Sequence, residues 1–553
     1  MFTSLSGYDR SWLRGDLVAG LTVWAVLVPE ALAYASIAGV SPVIGLYAAP
    51  GALIFYAAFG SSRHLITGPM AATAALSAAA VADLAPSPDE FVQLTITLAL
   101  VVGIVALVAG LLRLGFLASF ISEPVLKGFI IGLALTIIAG QLPKLFGVEK
   151  GEGNFFEKLW DLITNLDETS GLTLLVGVLS LAVVIGLKET APVVPGSLAA
   201  VLLGILAVKL FDLDQHGVAI VGHIDSGLPS FGLPDVRAHR YLDVAGASIG
   251  IMLVGFAEGL GAAKTYAVKN HYEVDANREL LGLGAANLAS GFSSGMVVNG
   301  SLSKTAVNGG AGAKSQVSGL VVAVLTVLTL LFLTGLFEDL PEATLAAVVI
   351  AALVELVDVR SMVALYRTQT RGLGRVYAVA ARPDFVAAVA ALLGVLIFDT
   401  LPGLFIGISI SLLLLLYRAS RPHVAVLGRV PGTTDQFADV ERSPANTPPP
   451  GIAVVRVDGG LFFANADAMR SAILAQVTDT THAVVLDAET MPYIDVTAAS
   501  MLVQLTDDLE QRGVKLVIAR DIGQVRDVLE TAPETVKARA YPTVQAAVED
   551  LSR

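Results

Sequence analysis

Through residue 420, apolar stretches of about 20 residues alternate with short polar breaks, the length at which a helix crosses a bilayer. Fourteen such stretches lie near 16–38, 42–60, 66–82, 91–112, 120–142, 171–187, 194–211, 244–263, 276–292, 300–311, 316–336, 342–357, 384–398 and 403–417. Two of them, 66–82 and 300–311, are short and rich in Gly, Ala, Ser and Thr, and make poor continuous spans. The segment Met1–Arg14 is polar and mildly amphipathic and reads as an interfacial helix rather than a cleavable leader, because the stretch after it is too long for a leader's apolar core.

The pattern changes near Pro422. The Pro-rich run Ser443–Gly451 is a loop signal. Beyond it, Ile452–Val457, Ala483–Asp487 and Lys515–Ala519 read as strands. They alternate with helices over Ala466–Gln476, Thr497–Gln511 and Gly523–Glu530, as in a small α/β domain. The chain therefore divides into an N-terminal segment (1–14), a membrane domain (15–420), a linker running into the soluble domain (421–450) and that domain itself (451–553).

Composition agrees with this division and narrows the function. Apolar residues make up 55% and charged residues 15% of the 553 positions, against about 25% charged in soluble domains. A net charge of −13 leaves no basic footprint for nucleic acid. The absence of cysteine excludes disulfides and thiolate-held metals, and the seven His show no metal-ligand spacing. No phosphate-binding Gly-rich loop with its Lys is present, so nothing points to ATP-driven work. The basic residues sort by side. One set of breaks holds Arg10, Arg14, Arg63, Arg113, Lys188, Lys264, Lys269, Arg278, Lys314, Arg360, Arg367, Arg371, Arg375, Arg382, Arg418 and Arg421. The short breaks on the other side, 83–90, 338–341 and 399–402, hold none, which places both termini in the cytoplasm of a multi-pass cell-membrane protein.

A faint internal repeat draws attention to the two short segments. Ser61-Ser62 followed by Thr67-Gly68 matches Ser293-Ser294 followed by Asn299-Gly300 at an offset of 232, and Glu30 matches Glu258 at an offset of 228. Seven spans per repeat is an odd number, so the second copy is inverted. Each short segment has an extended piece (Leu65-Ile66; Met296–Val298), then Gly68-Pro69-Met70 or Gly300-Ser301, then a small-residue helix. Pro and Ser suit helix starts. Irregular backbone at membrane depth survives only where it is buried or lines a cavity. Two half-helices meeting there would turn N–H groups and positive dipole ends toward an anion. Close packing of small-residue helices is the plainer alternative.

Lys304, with Ser301, Leu302, Ser303 and Thr305, opens the second half-helix. A cation at that depth is a functional candidate; otherwise it reaches water or pairs with a Glu. Glu30 and Glu258 lie deepest in apolar spans. An unpaired carboxylate there takes up a proton rather than stay charged, and beside an anion site that links proton and anion binding. The alternatives are a structural pair with Lys304 or a hydrogen bond to a broken helix.

These residues carry a resemblance. Val28-Pro29-Glu30-Ala31-Leu32-Ala33-Tyr34-Ala35, Gly45-Leu46-Tyr47, Gly68-Pro69, Asn277-Arg278-Glu279-Leu280 with Gly282, Gly284 and Asn287, and Gly300–Asn308 are similar to the SulP sulfate-permease family. Phe462-Phe463-Ala464-Asn465, Leu486-Asp487 and Ile494-Asp495 resemble its cytoplasmic STAS domain. The resemblance implies fourteen spans as two inverted seven-span repeats, divided into core and gate domains. It also implies a substrate held between the third and tenth spans, a dimer, and sulfate, bicarbonate, chloride or C4-dicarboxylates as cargo. Three positions depart from that pattern: Glu30 where Gln is usual, Lys304 where Arg is common, and Val496-Thr497 in place of a phospho-acceptor Ser pair after Asp495. The expected function is a secondary active anion transporter, not an enzyme, needing no cofactor and coupled to protons, with sodium as the alternative ion. A channel, uniporter or exchanger on the same fold is the runner-up, and a membrane sensor acting through a cytoplasmic partner of the STAS domain comes third.

Overall fold

Helices occupy all fourteen apolar stretches in the computed structural model, which describes residues 3–5, 7–82, 84, 87–116, 122–149, 151, 153–191, 194–224, 226–354, 356–367, 383–398, 400–530 and 540–553. Arg371, Arg375 and Arg382, part of the basic cluster read from the sequence, lie outside the described residues.

The first unit, Met1–Ser411, runs α1 (Leu13–Ile37), α2 (Pro42–Phe59), β1 (Ile66–Gly68), α3 (Ala71–Ala82), α4 (Pro88–Leu111), α5 (Glu123–Phe146), α6 (Phe155–Thr164), α7 (Gly171–Thr190), α8 (Gly196–Phe211), α9 (His239–Asp243), α10 (Ala245–Lys269), α11 (Ala276–Phe292), β2 (Asn299–Ser301), α12 (Leu302–Gly310), α13 (Val317–Phe332), α14 (Glu342–Val354), α15 (Val359–Arg367) and α16 (Pro383–Phe398), with α17 (Thr400–Ala419) leading onward. Among the described residues seven helices are long and apolar enough to cross a membrane, and four shorter apolar helices accompany them. Local chemistry sets the boundaries. Ser87 accepts from Glu90 N with Pro88 at the first helical position of α4, and Asp275 accepts from Asn277 N and Arg278 N to open α11. Gly147, at φ 71°, closes α5 in the left-handed conformation.

The N-terminal segment departs from expectation. Instead of one interfacial helix its described residues form two short 3-10 turns, Thr3–Leu5 and Arg10–Trp12, with Gly7 at φ 74° between them and Asp9 capping the second. Within the unit, α11 packs on α4 and α2, and α1 on α2 and α13; α5 packs on α16 and α14, and α7 on α14 and α8. Outward-facing Leu21, Leu203 and Phe332 remain 54%, 52% and 74% exposed, which suits helices bathed in hydrocarbon.

The second unit, Leu412–Arg553, is built on a six-stranded sheet. It contains β3 (His423–Arg429), β4 (Phe437–Asp439), β5 (Ile452–Asp458), α18 (Ala466–Leu474), β6 (Ala483–Asp487), α19 (Val496–Gln511), β7 (Lys515–Ala519), α20 (Gly523–Glu530), β8 (Ala540–Tyr541) and α21 (Val544–Leu551). The strand order is β4-β3-β5-β6-β7-β8; β3 pairs antiparallel with β4 and β5, and the remaining pairs are parallel. Met469, Leu502 and Leu505 of α18 and α19 bury one sheet face, Val544 and Val548 of α21 the other. The stretch 421–450 thus supplies two strands of the domain. Buried Asp487 is held by Arg520, which donates from Nε to Oδ1 at 2.9 Å and also bonds Oδ2.

Candidate functional site

The two short segments meet as a two-stranded antiparallel sheet in register Ile66↔Ser301, Thr67↔Gly300 and Gly68↔Asn299. Each strand feeds a short helix, β1 into α3 and β2 into α12, so the helix starts flank the sheet at its two ends. Their first N–H groups have no partner within the helix, and both ends carry positive dipole. Close approach makes Gly300 necessary. A Cβ there would stand 2.8 Å from Leu65 Cδ2 and 3.0 Å from the Gly259 Cα of α10. Ser301 is the N-cap of α12, its hydroxyl accepting from Lys304 N at 3.2 Å. Pro69 does not open α3, which begins two residues later at Ala71; its carbonyl serves the site instead.

Lys304 is 1% exposed. Its ammonium donates to Pro69 O at 3.2 Å, stands 2.6 Å from Glu30 Oε2, and lies 5.0 Å from the centroid of the Tyr34 ring. The turn after β1, helix α12 and helix α1 therefore converge on one cation. The Glu30 contact is an ion pair without a directed hydrogen bond at Oε2. The sequence had left open whether Glu30 stands alone or pairs with Lys304, and the pair is what forms. Tyr34, one helical turn beyond Glu30, was not singled out from sequence; its i, i+4 spacing on α1 was the available signal.

The other candidates take distinct positions. Ser303 is exposed, and its hydroxyl lies 3.1 Å from that of Ser301. Thr305 is buried and accepts from Ile66 N at 3.1 Å, fastening α12 to β1. Leu302 is half exposed, Gly68 is buried and Met70 is intermediate. Glu258 is half-buried on α10, next to the Gly259 that abuts Gly300, and its Oε2 is buried without a hydrogen-bond partner. Thr67 Oγ1 and Asn299 Nδ2 are likewise buried and unpaired, in the sheet itself. Unpaired buried polar atoms are costly and rare, and these three gather around one sheet.

A second polar network stands beside this one. Glu279 of α11 accepts from Tyr56 OH at 2.6 Å, Ser61 N at 2.8 Å, Ser61 Oγ at 2.7 Å and Ser62 N at 3.1 Å. Asp16 of α1 accepts from Lys314 N and Ser315 N, and Gln316 donates to the carbonyls of Ser62 and Leu65. Through these bonds the network positions the lead into β1. Sequence reading passed over Glu279 as a site, and the geometry gives it a fastening role.

With the site described, comparison with known proteins becomes informative. Residues 13–379 match the model of the sulfate permease family, and residues 443–547 match that of the STAS domain. Over 529 residues the chain is 37% identical to "Probable sulfate transporter MT1781" of Mycobacterium tuberculosis, covering 95% of this chain and 92% of that one. It is 31% identical over 544 residues to "High affinity sulfate transporter 1" of Stylosanthes hamata, covering 93% and 79%. The murine Solute Carrier 26 family member A9 anion transporter, in its inward-facing state, superposes with a TM-score of 0.89 at 23% identity over 99% of this chain and 92% of that one. The transmembrane domain of the cyanobacterial bicarbonate transporter BicA gives 0.61 at 24% identity, over 70% and 97%. The two structural likenesses bear on fold alone.

Proposed function

The chain belongs to the sulfate permease family of membrane anion transporters, and we propose that it is a secondary active symporter that carries one small anion together with a proton by alternating access. The observation that carries this reading is the buried Lys304–Glu30 pair at the junction of two helix starts. The Glu30 carboxylate occupies the ammonium. An arriving oxyanion competes for that charge, and its remaining oxygens meet the N–H groups and hydroxyls of Gly300, Ser301 and Ser303 and the backbone at Gly68, Pro69 and Met70. Protonating Glu30 removes the competitor, so proton and anion each favour the other's binding. Glu258 supplies a second protonatable group on the α10 side of the same sheet, where its unpaired Oε2 supports that role.

Fourteen spans in two inverted repeats fit the antiparallel pairing of β1 with β2 and the two helix groups around α1, α2, α4, α11 and α13 and around α5, α7, α8, α14 and α16. The first group is the core that holds the anion and the second the gate. Both termini lie in the cytoplasm of the cell membrane, and the functional unit is a dimer of this chain. Sulfate is the first anion to test, because the relatives named above include sulfate transporters, with bicarbonate and C4-dicarboxylates next. Purified protein in liposomes should accumulate one of these labelled anions and be inhibited by the same anion unlabelled. Uptake of none of the three would overturn the substrate class.

A further inference from the structure

Helix α6 has three sectors. Phe155 and Leu162 face inward, with Leu162 only 7% exposed. Glu157, Lys158, Asp161 and Thr164 form a polar sector. Between these, Phe156, Trp160 and Ile163 recur at i, i+4 and i+7 and stand 52%, 66% and 59% exposed. The helix is fixed before anything covers that face: the Asn154 side chain accepts from Phe156 N and Glu157 N while Glu157 Oε2 accepts from Asn154 N.

The neighbours of α6 indicate what the apolar sector meets. Gly128 of α5 lies against Ala388 of α16, and Gly132 lies against Leu392 and Val395, so the two helices run side by side in one direction. Their C-terminal ends share one membrane face, and α6 packs on both. There Ile397 and Phe398 of α16 are 44% and 60% exposed, continuing the lipid-facing belt toward α6. We propose that α6 lies in the plane of the membrane interface where α5 ends, with Phe156, Trp160 and Ile163 inserted among lipid acyl chains. The polar sector carries both signs and Asp167 and Glu168 follow it, so the surface suits a zwitterionic headgroup layer rather than an anionic one. Insertion of such a face reaches about 5–10 Å into the headgroup and acyl boundary. Trp at that level is favoured by its apolar body and polar edge.

The chain has no cysteine, so single substitutions can carry a spin label in the full-length protein in phosphatidylcholine vesicles. Labels at Phe156→Cys, Trp160→Cys and Ile163→Cys should collide more with oxygen than with a water-soluble nickel chelate. Labels at Glu157→Cys and Thr164→Cys should show the reverse. The unmodified protein supplies an independent reading: lipids brominated near the headgroup end of the chain should quench its fluorescence more than in Trp160→Phe. Chelate collisions at 160 and 163 as frequent as at 157 and 164 would overturn the proposal. So would spin–spin broadening at 160 that vanishes on dilution with unlabelled subunits, since a second copy would then cover the face.

Discussion

Replacing Lys304 by Ala removes the only charge that faces Glu30 among the described contacts, and it should lower both stability and anion affinity. Glu30 is 6% exposed, and the ammonium stands 2.6 Å from its Oε2. Removing one partner of a buried pair typically costs roughly 3–5 kcal/mol when the other charge is left behind. For the anion, a hydrogen bond to a charged group contributes about 1.5–3 kcal/mol, and at about 1.4 kcal/mol per decade affinity should fall roughly 10- to 150-fold. Glu30→Gln should act oppositely at neutral pH, tightening binding because the competitor has gone. Lys304→Ala with Glu30→Gln should be more stable than the two single effects added together, since the singles share one interaction. The assays are anion binding by calorimetry and thermal unfolding in the same detergent. Unchanged affinity in Lys304→Ala, or additive stability effects in the double variant, would refute this reasoning.

Further expectations follow from the same geometry. Glu258→Gln should flatten the pH dependence of anion affinity while leaving binding intact, and an unaltered pH profile would remove Glu258 from the coupling. Gly300→Ala should lower thermal stability by roughly 1–3 kcal/mol and reduce uptake, because its Cβ would press on Leu65 and Gly259; wild-type behaviour would mean that the sheet yields there. Truncation after Ser420 should give a monodisperse membrane unit that still binds anion. Truncation after Pro450 would strand β3 without β5 and should aggregate on gel filtration. Arg520→Ala should destabilise the soluble domain by about 3 kcal/mol by leaving buried Asp487 without its cation, read as faster hydrogen exchange in β6 and β7.

Much of this architecture was legible in the sequence because it is local. Gly68-Pro69 and Gly300-Ser301 punctuate apolar runs, and the helices after them start at Ala71 and Leu302, within two residues of where such punctuation puts them. What closed the site was not local. Strands of three residues, more than 230 positions apart, carry too little pattern to announce their pairing. The Glu30–Lys304 contact likewise depends on α1 crossing beside α12. Helix α6 was missed although Asn154 and Glu157 form a capping box, because ten residues fall short of a span and its apolar face alternates with charge. Strands β3 and β4 lie in the stretch 421–450, read as linker and start of the soluble domain, where the Pro-rich loop that follows them hides their pattern. The paired strands could not reveal themselves until β5 was placed beside β3.

The central claim, that proton and anion move together, is tested most directly by uptake into liposomes across an imposed pH gradient, at fixed membrane potential, in wild type and in the Glu30→Gln, Glu258→Gln double variant. An acid exterior should drive the wild-type protein to concentrate the anion above its external level, and the double variant should only equilibrate it. A wild type indifferent to the gradient, or a double variant that still concentrates the anion, would contradict symport and leave a channel or exchanger in its place.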